Sequence, residues 1–377
     1  MSKGRKTRVI FKIHSYTGLI TGIALLLIGI SGSILVFSRD LDRIIYHEIQ
    51  EVETTGTRMS LDSGYAIMQA KFPEMNYITY DGLPQEANSA FQFFMMKDGV
   101  QFKAFLNPYT SEILHAGKRY DYWMDWLLLF HYTFTVPVWG ELAAAVLSFT
   151  LILSIITGSI VYRKYLLKVF LFRVPLKLKN WRTTASGLHR IVGVWSLLFH
   201  VLIAISAFWM LRHTFSKSHF EDRPLMATSA PAINFSIDSA LMEINERYPT
   251  FHAQFLTLPE TDDMPAYFYG HSNGVSFFFA NYYDEIQHDG KSLTTKFLQQ
   301  KTVAEKFESM MYPIHAGLYG NMVVKIIYCL GGLTPALLSI TGFFLWWRRK
   351  KQKASNTRSP NPNGPPYISR SVGALNS

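Results

Sequence analysis

The chain has 377 residues, 49% of them hydrophobic, with 37 Lys/Arg, 27 Asp/Glu and one cysteine. This composition excludes a disordered protein. A single cysteine, Cys329, excludes an internal disulfide and any Cys-based zinc or iron–sulfur site. The net charge of +10 is segregated along the chain: residues 1–38, 163–190 and 348–377 hold 20 Lys/Arg and no acidic residue, and the remaining segments hold 17 Lys/Arg and all 27 acidic residues. The high charge therefore reads as membrane topology, basic segments inside and acidic loops outside, and not as nucleic-acid binding.

Residues 1–12 form a basic tail, expected in the cytoplasm. Four apolar runs are long enough to span a bilayer, Ile13–Phe37, Leu142–Val161, Ile191–Leu211 and Val323–Trp347. The first, within residues 13–38, lacks a small-residue cleavage site before Arg39, so it reads as a retained span and not as a signal peptide. It carries His14, Gly18 and Gly22, then Ser31-Gly32. Small residues at four-residue spacing let helices approach closely in lipid.

Residues 39–119 read as an outer domain. Ser60-Leu61-Asp62-Ser63 opens an amphipathic stretch that ends at Phe72-Pro73, a capped helix. Strand patterns follow at Tyr77–Tyr80, Phe91–Met96 and Gln101–Leu106, with turns at Asp81-Gly82 and Asp98-Gly99. Asn107-Pro108-Tyr109 supplies a further turn between short strands. Residues 120–162 begin with an aromatic surface helix bearing His131, break at Pro137, and continue into the second span, which ends with Thr157-Gly158.

The second half repeats this plan. A basic loop, 163–187, leads to the third span at 188–211, an outer domain at 212–310, and an interfacial segment with the fourth span at 311–347. The tail 348–377 is expected to be disordered in the cytoplasm, being rich in Pro, Asn and Ser. His14 lies 18 residues before Gly32, and His189 lies 18 before Ala207. His131 lies 27 before Gly158, and His315 lies 27 before Gly342. Ser60-Leu-Asp-Ser aligns with Ser236-Ile-Asp-Ser239, and Ala104–Gly117 aligns with Phe277–Gly290. The expected fold is an α-helical membrane protein of four transmembrane helices, built as two parallel repeats of helix, outer α+β domain and helix.

Matched histidines at span ends are the candidate functional residues. Taken singly, each reads as an interfacial side chain. As two repeat-related pairs in spans whose other residues have diverged, they point to ligands. His200 has no counterpart, since Leu25 occupies its place, yet it is the costliest histidine, near mid-bilayer and eleven residues, or about 16.5 Å of helix, beyond His189. The spans hold no carboxylate for a proton relay and no HExxH motif for zinc. Haem fits better, since it takes imidazoles from different helices, an apolar slot, glycines for room and basic groups for the propionates, here Arg190 and Lys12. Continuous-helix arithmetic puts His14 and His189 near the inner surface and His131 and His315 at or above the outer one. His315 stands 33 residues before Arg348, about 50 Å if helical throughout. A break at Pro137 and a kink near Gly320 would lower the outer pair. Which imidazoles share an iron is left open.

At these residues the chain resembles the PepSY-associated transmembrane family, whose members include bacterial inner-membrane ferric-siderophore reductases. The resemblance covers residues 8–350 and rests on His14-x3-Gly18, Leu188-His189-Arg190-x2-Gly193, His315-Ala-Gly317, the Ser/Thr-Gly pairs and the Asn107-Pro-Tyr-Thr-Ser-Glu-Ile-Leu turn. It implies a protein of the bacterial inner membrane with both termini cytoplasmic and PepSY-like domains in the periplasm. It also implies two b-type haems, with His14, His131, His189, His200 and His315 as the iron ligands and Arg190 as a cofactor-binding residue. The implied activity is reduction of a periplasmic ferric siderophore or other ferric chelate, with release of Fe2+. Quinol or a separate flavoprotein would be the donor, since the tail beyond Arg348 is too short for a flavin domain. The second domain departs from the family's turn at Ala280-Asn281-Tyr282. Two other readings stand beside this one. One is a non-enzymatic membrane-anchored PepSY module that binds or regulates an envelope peptidase or other partner. The other is metal handling by the outer histidines.

Overall fold

The computed structural model describes residues 3–221, 233–261, 264–272, 278–279 and 283–358. The Ala280-Asn281-Tyr282 turn and the whole tail after Arg358 lie outside them. Among the described residues, four helices are long and apolar enough to cross a membrane, over Arg5–Leu35, Trp139–Tyr162, Leu197–Phe215 and Met322–Gln352. Their outward faces are apolar and bare, as at Ile20 and Leu198, exposed to 80% and 77%. Their hydroxyls and imidazoles point inward: Ser31, Thr157, His200, Ser206 and Thr341 are all buried. A surface this apolar belongs in lipid, where polar side chains must find partners inside the bundle.

In chain order, α1 (Lys3–Leu35) is the first span, followed by α2 (Ser38–Ile45) and the short turn α3 (His47–Gln50). The first sheet domain comprises α4 (Leu61–Lys71) and β1 (Tyr77–Tyr80), β2 (Phe91–Lys97), β3 (Val100–Leu106) and β4 (Ile113–Lys118). Then come α5 (Trp123–Thr133), the second span α6 (Trp139–Tyr162), the short α7 (Leu166–Phe170), and α8 (Trp181–Trp195) running into α9 (Leu197–Leu211). The second sheet domain comprises α10 (Ile237–Arg247) and β5 (Phe251–Thr257), β6 (Ala266–Ser272), β7 (Asp284–His288) and β8 (Leu293–Lys296). The chain closes with α11 (Val303–Ala316) and α12 (Met322–Arg358). Each sheet is an antiparallel meander of four strands in sequence order.

The two sheet domains share one core. Met68, Phe91 and Phe93 of the first pack in the same buried cluster as Ile244, Phe251 and Phe268 of the second. Strand β1 is buried at all four residues because it lies between β2 and the second domain. Its Tyr77 hydroxyl donates to the Leu258 carbonyl at 2.9 Å, and its Thr79 hydroxyl donates to the Leu256 carbonyl at 3.0 Å. The N-terminal serines predicted from sequence cap their helices: Ser60 accepts from the Ser63 N–H, and Ser236 from the Ser239 N–H.

Two breaks shape the bundle, one that the sequence reading did not expect and one that it did. The third span is interrupted at Ser196, whose hydroxyl donates to the Val192 carbonyl one turn back at 2.7 Å; such back-bonding bends helices. The approach to the second span is a reversal and not a continuous helix. Phe134, Thr135 and Val138 all have positive φ, and a Cβ on Gly140 would fall 1.6 Å from the Thr133 carbonyl oxygen. Only glycine permits that contact, so α5 folds back beside α6. In the second half α11 ends at Gly317, at φ 69°, before α12 begins. The reversals lie at the expected Pro137 break and close to the expected kink near Gly320, and they bring His131 and His315 below the level that a continuous helix would give them.

Candidate functional site

The hairpins bring the four matched histidines together in two pairs. His14 of α1 faces His189 of α8, with ring centroids 6.3 Å apart. His131 of α5 faces His315 of α11, also at 6.3 Å. Two imidazoles on opposite sides of one metal ion, each with a bond of about 2 Å, place their ring centroids about 6 Å apart.

Hydrogen bonding fixes which nitrogen of each ring is free. The Ser31 hydroxyl donates to the Leu27 carbonyl at 2.9 Å, so its oxygen accepts from the His131 Nδ1–H, also at 2.9 Å. Ser206 donates to Leu202 and accepts from His315 Nδ1 at 3.0 Å. Thr341 donates to Leu337 and accepts from His189 Nδ1 at 2.9 Å. His14 Nδ1 donates to the Ser154 carbonyl at 3.2 Å and the Thr157 hydroxyl at 3.3 Å, while Thr157 donates to Leu153. Each hydroxyl spends its one hydrogen on its own helix. In all four rings the proton therefore sits on Nδ1 and the lone pair on Nε2. A second hydrogen bond that fixes the tautomer is the usual support of a metal-bound imidazole.

The glycines beside those hydroxyls seat the rings. A Cβ on Gly32 would come within 2.8 Å of His131 Cε1, one on Gly158 within 3.1 Å of His14 Cε1, and one on Gly342 within 3.3 Å of His189 Cε1. The repeated Ser/Thr-Gly pairs thus have a physical role that their spacing alone did not disclose: the hydroxyl holds Nδ1 and the glycine makes room for the ring edge. Helix α5 is itself held to the first sheet through Asp125, which takes Lys103 of β3 at 2.8 Å and Arg119 at 2.9 Å.

The two pairs lie at different levels. Ser31, which holds His131, is seventeen residues beyond His14 on one helix, about 25 Å along its axis. At the His14–His189 level the bundle opens into a cavity of about 480 Å3, in the range that holds cofactors. Gly18, Gly193 and Gly342 line it, with Arg182, Arg190, Arg348 and Arg349. Lys12 is not among its lining residues. Gly22 faces Ser339 of α12, so it serves helix packing. Sequence reasoning missed Arg182, Arg348 and Arg349, which are remote in the chain and meet only when α8 packs on α12.

His200 stands apart from both pairs. It is buried in the cavity wall, with Nε2 2.7 Å from the Thr334 hydroxyl. Thr334 donates to the Gly331 carbonyl, so His200 carries its proton on Nε2, the opposite tautomer to the four paired rings.

Two imidazole pairs with free Nε2 lone pairs in an apolar bundle are a donor set that suits haem iron, and at the His14–His189 level a cavity lies beside them. No curated relative matches the sequence. A family model described as the PepSY-associated TM region matches residues 11–349. With that match running through all four spans, the chain belongs to the PepSY-associated transmembrane family.

Proposed function

We propose that the chain carries electrons across the bacterial inner membrane to a periplasmic ferric chelate, a ferric siderophore, and so releases Fe2+. In this reading it is two parallel repeats with both termini in the cytoplasm and both PepSY-like sheet domains in the periplasm. The observation that carries the reading is the duplicated geometry: two imidazole pairs, each 6.3 Å across and each protonated on Nδ1, at two levels of one bundle.

His14 and His189 would hold one b-type haem, and His131 and His315 the other. Held between two imidazoles, such a group would supply a one-electron iron couple and leave no position open to substrate. The protein's part is to hold and insulate. Ser31, Thr157, Ser206 and Thr341 orient the imidazoles and raise their basicity. Arg182, Arg190 and Arg349 give the inner cavity a cationic rim suited to propionates. His200, outside the pairs, shapes the wall of that cavity. The donor on the cytoplasmic side is quinol or a separate flavoprotein.

The test is a visible spectrum of the purified full-length protein, oxidised and dithionite-reduced, with haem and iron counted per chain. Two low-spin haems, reoxidised by a ferric siderophore as Fe2+ appears in a ferrous trap, are the expected result. Colourless, iron-free protein from cells with ample porphyrin overturns it.

A further inference from the structure

A second set of imidazoles gathers at the end of the bundle that carries the sheets, away from both pairs. Glu141 lies in the first turn of α6, His213 in the turn Arg212–Phe215, and His219 in the turn Lys217–Phe220. His213 Nε2 is 3.3 Å and His219 Nδ1 3.8 Å from the same carboxylate oxygen of Glu141. The three ligand atoms lie within 4.8 Å of one another.

The other nitrogen of each ring is committed to a backbone carbonyl. His213 Nδ1–H donates to Met210 at 3.1 Å, and His219 Nε2–H donates to Val138 at 3.0 Å. A carbonyl only accepts, so a neutral ring keeps its proton there and turns its remaining lone pair toward the Glu141 carboxylate. Two neutral rings and a carboxylate present three acceptors to one another, and a cation held between them relieves their repulsion. Bonds of about 2.0–2.2 Å to a tetrahedral ion space its ligand atoms roughly 3.3 Å apart. The His213 contact at 3.3 Å matches that spacing and the His219 contact at 3.8 Å is wider, so the ion would draw His219 inward; both contacts are longer than a charge-assisted hydrogen bond, which runs to about 2.7–2.9 Å.

We propose that Glu141, His213 and His219 bind one divalent first-row transition-metal ion. Two imidazoles and one carboxylate are borderline donors, suited to Zn2+ or Fe2+ and unsuited to Cu(I), Ca2+ or Mg2+. His213 is half exposed, with 56% of its side chain open, so at least one position on the ion stays open to water. The backbone bonds to Met210 and Val138 orient the two rings, the same support that the paired histidines take from hydroxyls. The ion joins the start of α6 to the segment after α9 across 72 residues of sequence. This site does not rest on the haem reading.

The experiment uses the full-length protein in detergent, stripped with a chelator and titrated with Zn2+ by calorimetry, with bound zinc then counted by mass spectrometry. One Zn2+ per chain is expected, together with a rise in the unfolding midpoint on adding it. Glu141→Gln, His213→Ala and His219→Ala should each weaken binding on the order of tenfold or more and abolish that rise, while His115→Ala keeps both. His213 is exposed enough that its removal leaves the fold intact, so that variant decides the matter if the others misfold. Stripped protein that takes up no zinc saturably, or His213→Ala protein that binds it as the native chain does, overturns the proposal. Haem content is read on the same samples, so either reading can fail alone.

Discussion

Asp62 and Asp238 cap each other's helices. Asp62 accepts the Ile237 N–H at 2.7 Å, the Asp238 N–H at 3.3 Å and the Ser236 hydroxyl, all at the start of α10. Asp238 accepts the Leu61 and Asp62 N–H groups at 3.1 and 2.8 Å, at the start of α4. Each sheet domain thus supplies the carboxylate that the other domain's helix needs. Burial pushes Asp62 up, but the bonds from Ser236 and Ile237 outweigh it and hold Asp62 below the usual carboxylate range. Burial, with the neighbouring Asp62, holds Asp238 above that range.

Replacing Asp62 by Ala should therefore cost about 1–2 kcal/mol, the value of a lost cap, and loosen both domains together. Thermal unfolding of the purified protein and limited proteolysis at the domain boundary read this. The contribution of ionised Asp62 is complete above the usual carboxylate range and is lost as pH falls through its depressed value. Equal unfolding midpoints for the native and D62A chains at neutral pH count against the linkage.

Asp42 of α2 carries a titration of the opposite sign. Burial pushes it up to about 6, with Lys103 pulling it back and Asp125 and Asp81 adding to the rise, and its buried Oδ1 has no hydrogen-bond partner. A carboxyl whose folded value is raised stabilises fully below its unfolded value and loses that contribution as pH rises to about 6. Asp42→Asn should raise the unfolding midpoint at pH 7.5 and leave it nearly unchanged at pH 4. The partial exposure limits the gain to roughly 1 kcal/mol. A midpoint that shifts equally at both pH values removes ionisation as the cause.

The two histidine pairs should fail one at a time. His14→Leu or His189→Leu should each remove half of the haem, as should His131→Leu or His315→Leu. A double variant within one pair should lose no more than its single variants. His200→Leu should keep both haems in the six-coordinate low-spin state. Loss of a whole haem in the His200 variant, read by haem count and absorbance, would return that residue to the ligand set.

Hydroxyls behind the rings should tune the iron without ligating it. Ser31→Ala and Thr341→Ala each take the acceptor from a Nδ1–H, of His131 and His189 respectively. Haem retention should fall on the order of 10- to 100-fold, and a potentiometric titration should show one of two midpoints displaced. Gly32→Ala should be harsher than Gly342→Ala, because its Cβ meets His131 at 2.8 Å and the other meets His189 at 3.3 Å. Haem occupancy that ignores these substitutions argues against a shared iron.

Much of this protein is written in local pattern. Long apolar runs between basic segments dictate the spans, because lipid admits no unsatisfied backbone. Period-two alternation dictates strands, and Ser-x-x-Ser dictates the capped starts of α4 and α10. Matched spacing in the two halves of the sequence singled out His14, His131, His189 and His315, the four that the fold brings together in pairs. What local pattern cannot carry is direction in space. Whether α5 runs on into α6 or folds back turns on three residues of positive φ and on Gly140, a backbone geometry that hydrophobic periodicity does not encode. Tautomers depend on hydroxyls a hundred or more residues away, and they divide His200 from the four paired rings only after the helices have met. Tertiary packing also decided the pairing of His213 with Glu141, whose separation in sequence carries no periodic signal, and the exchange of caps between Asp62 and Asp238, because matched positions in two segments do not say that the segments touch.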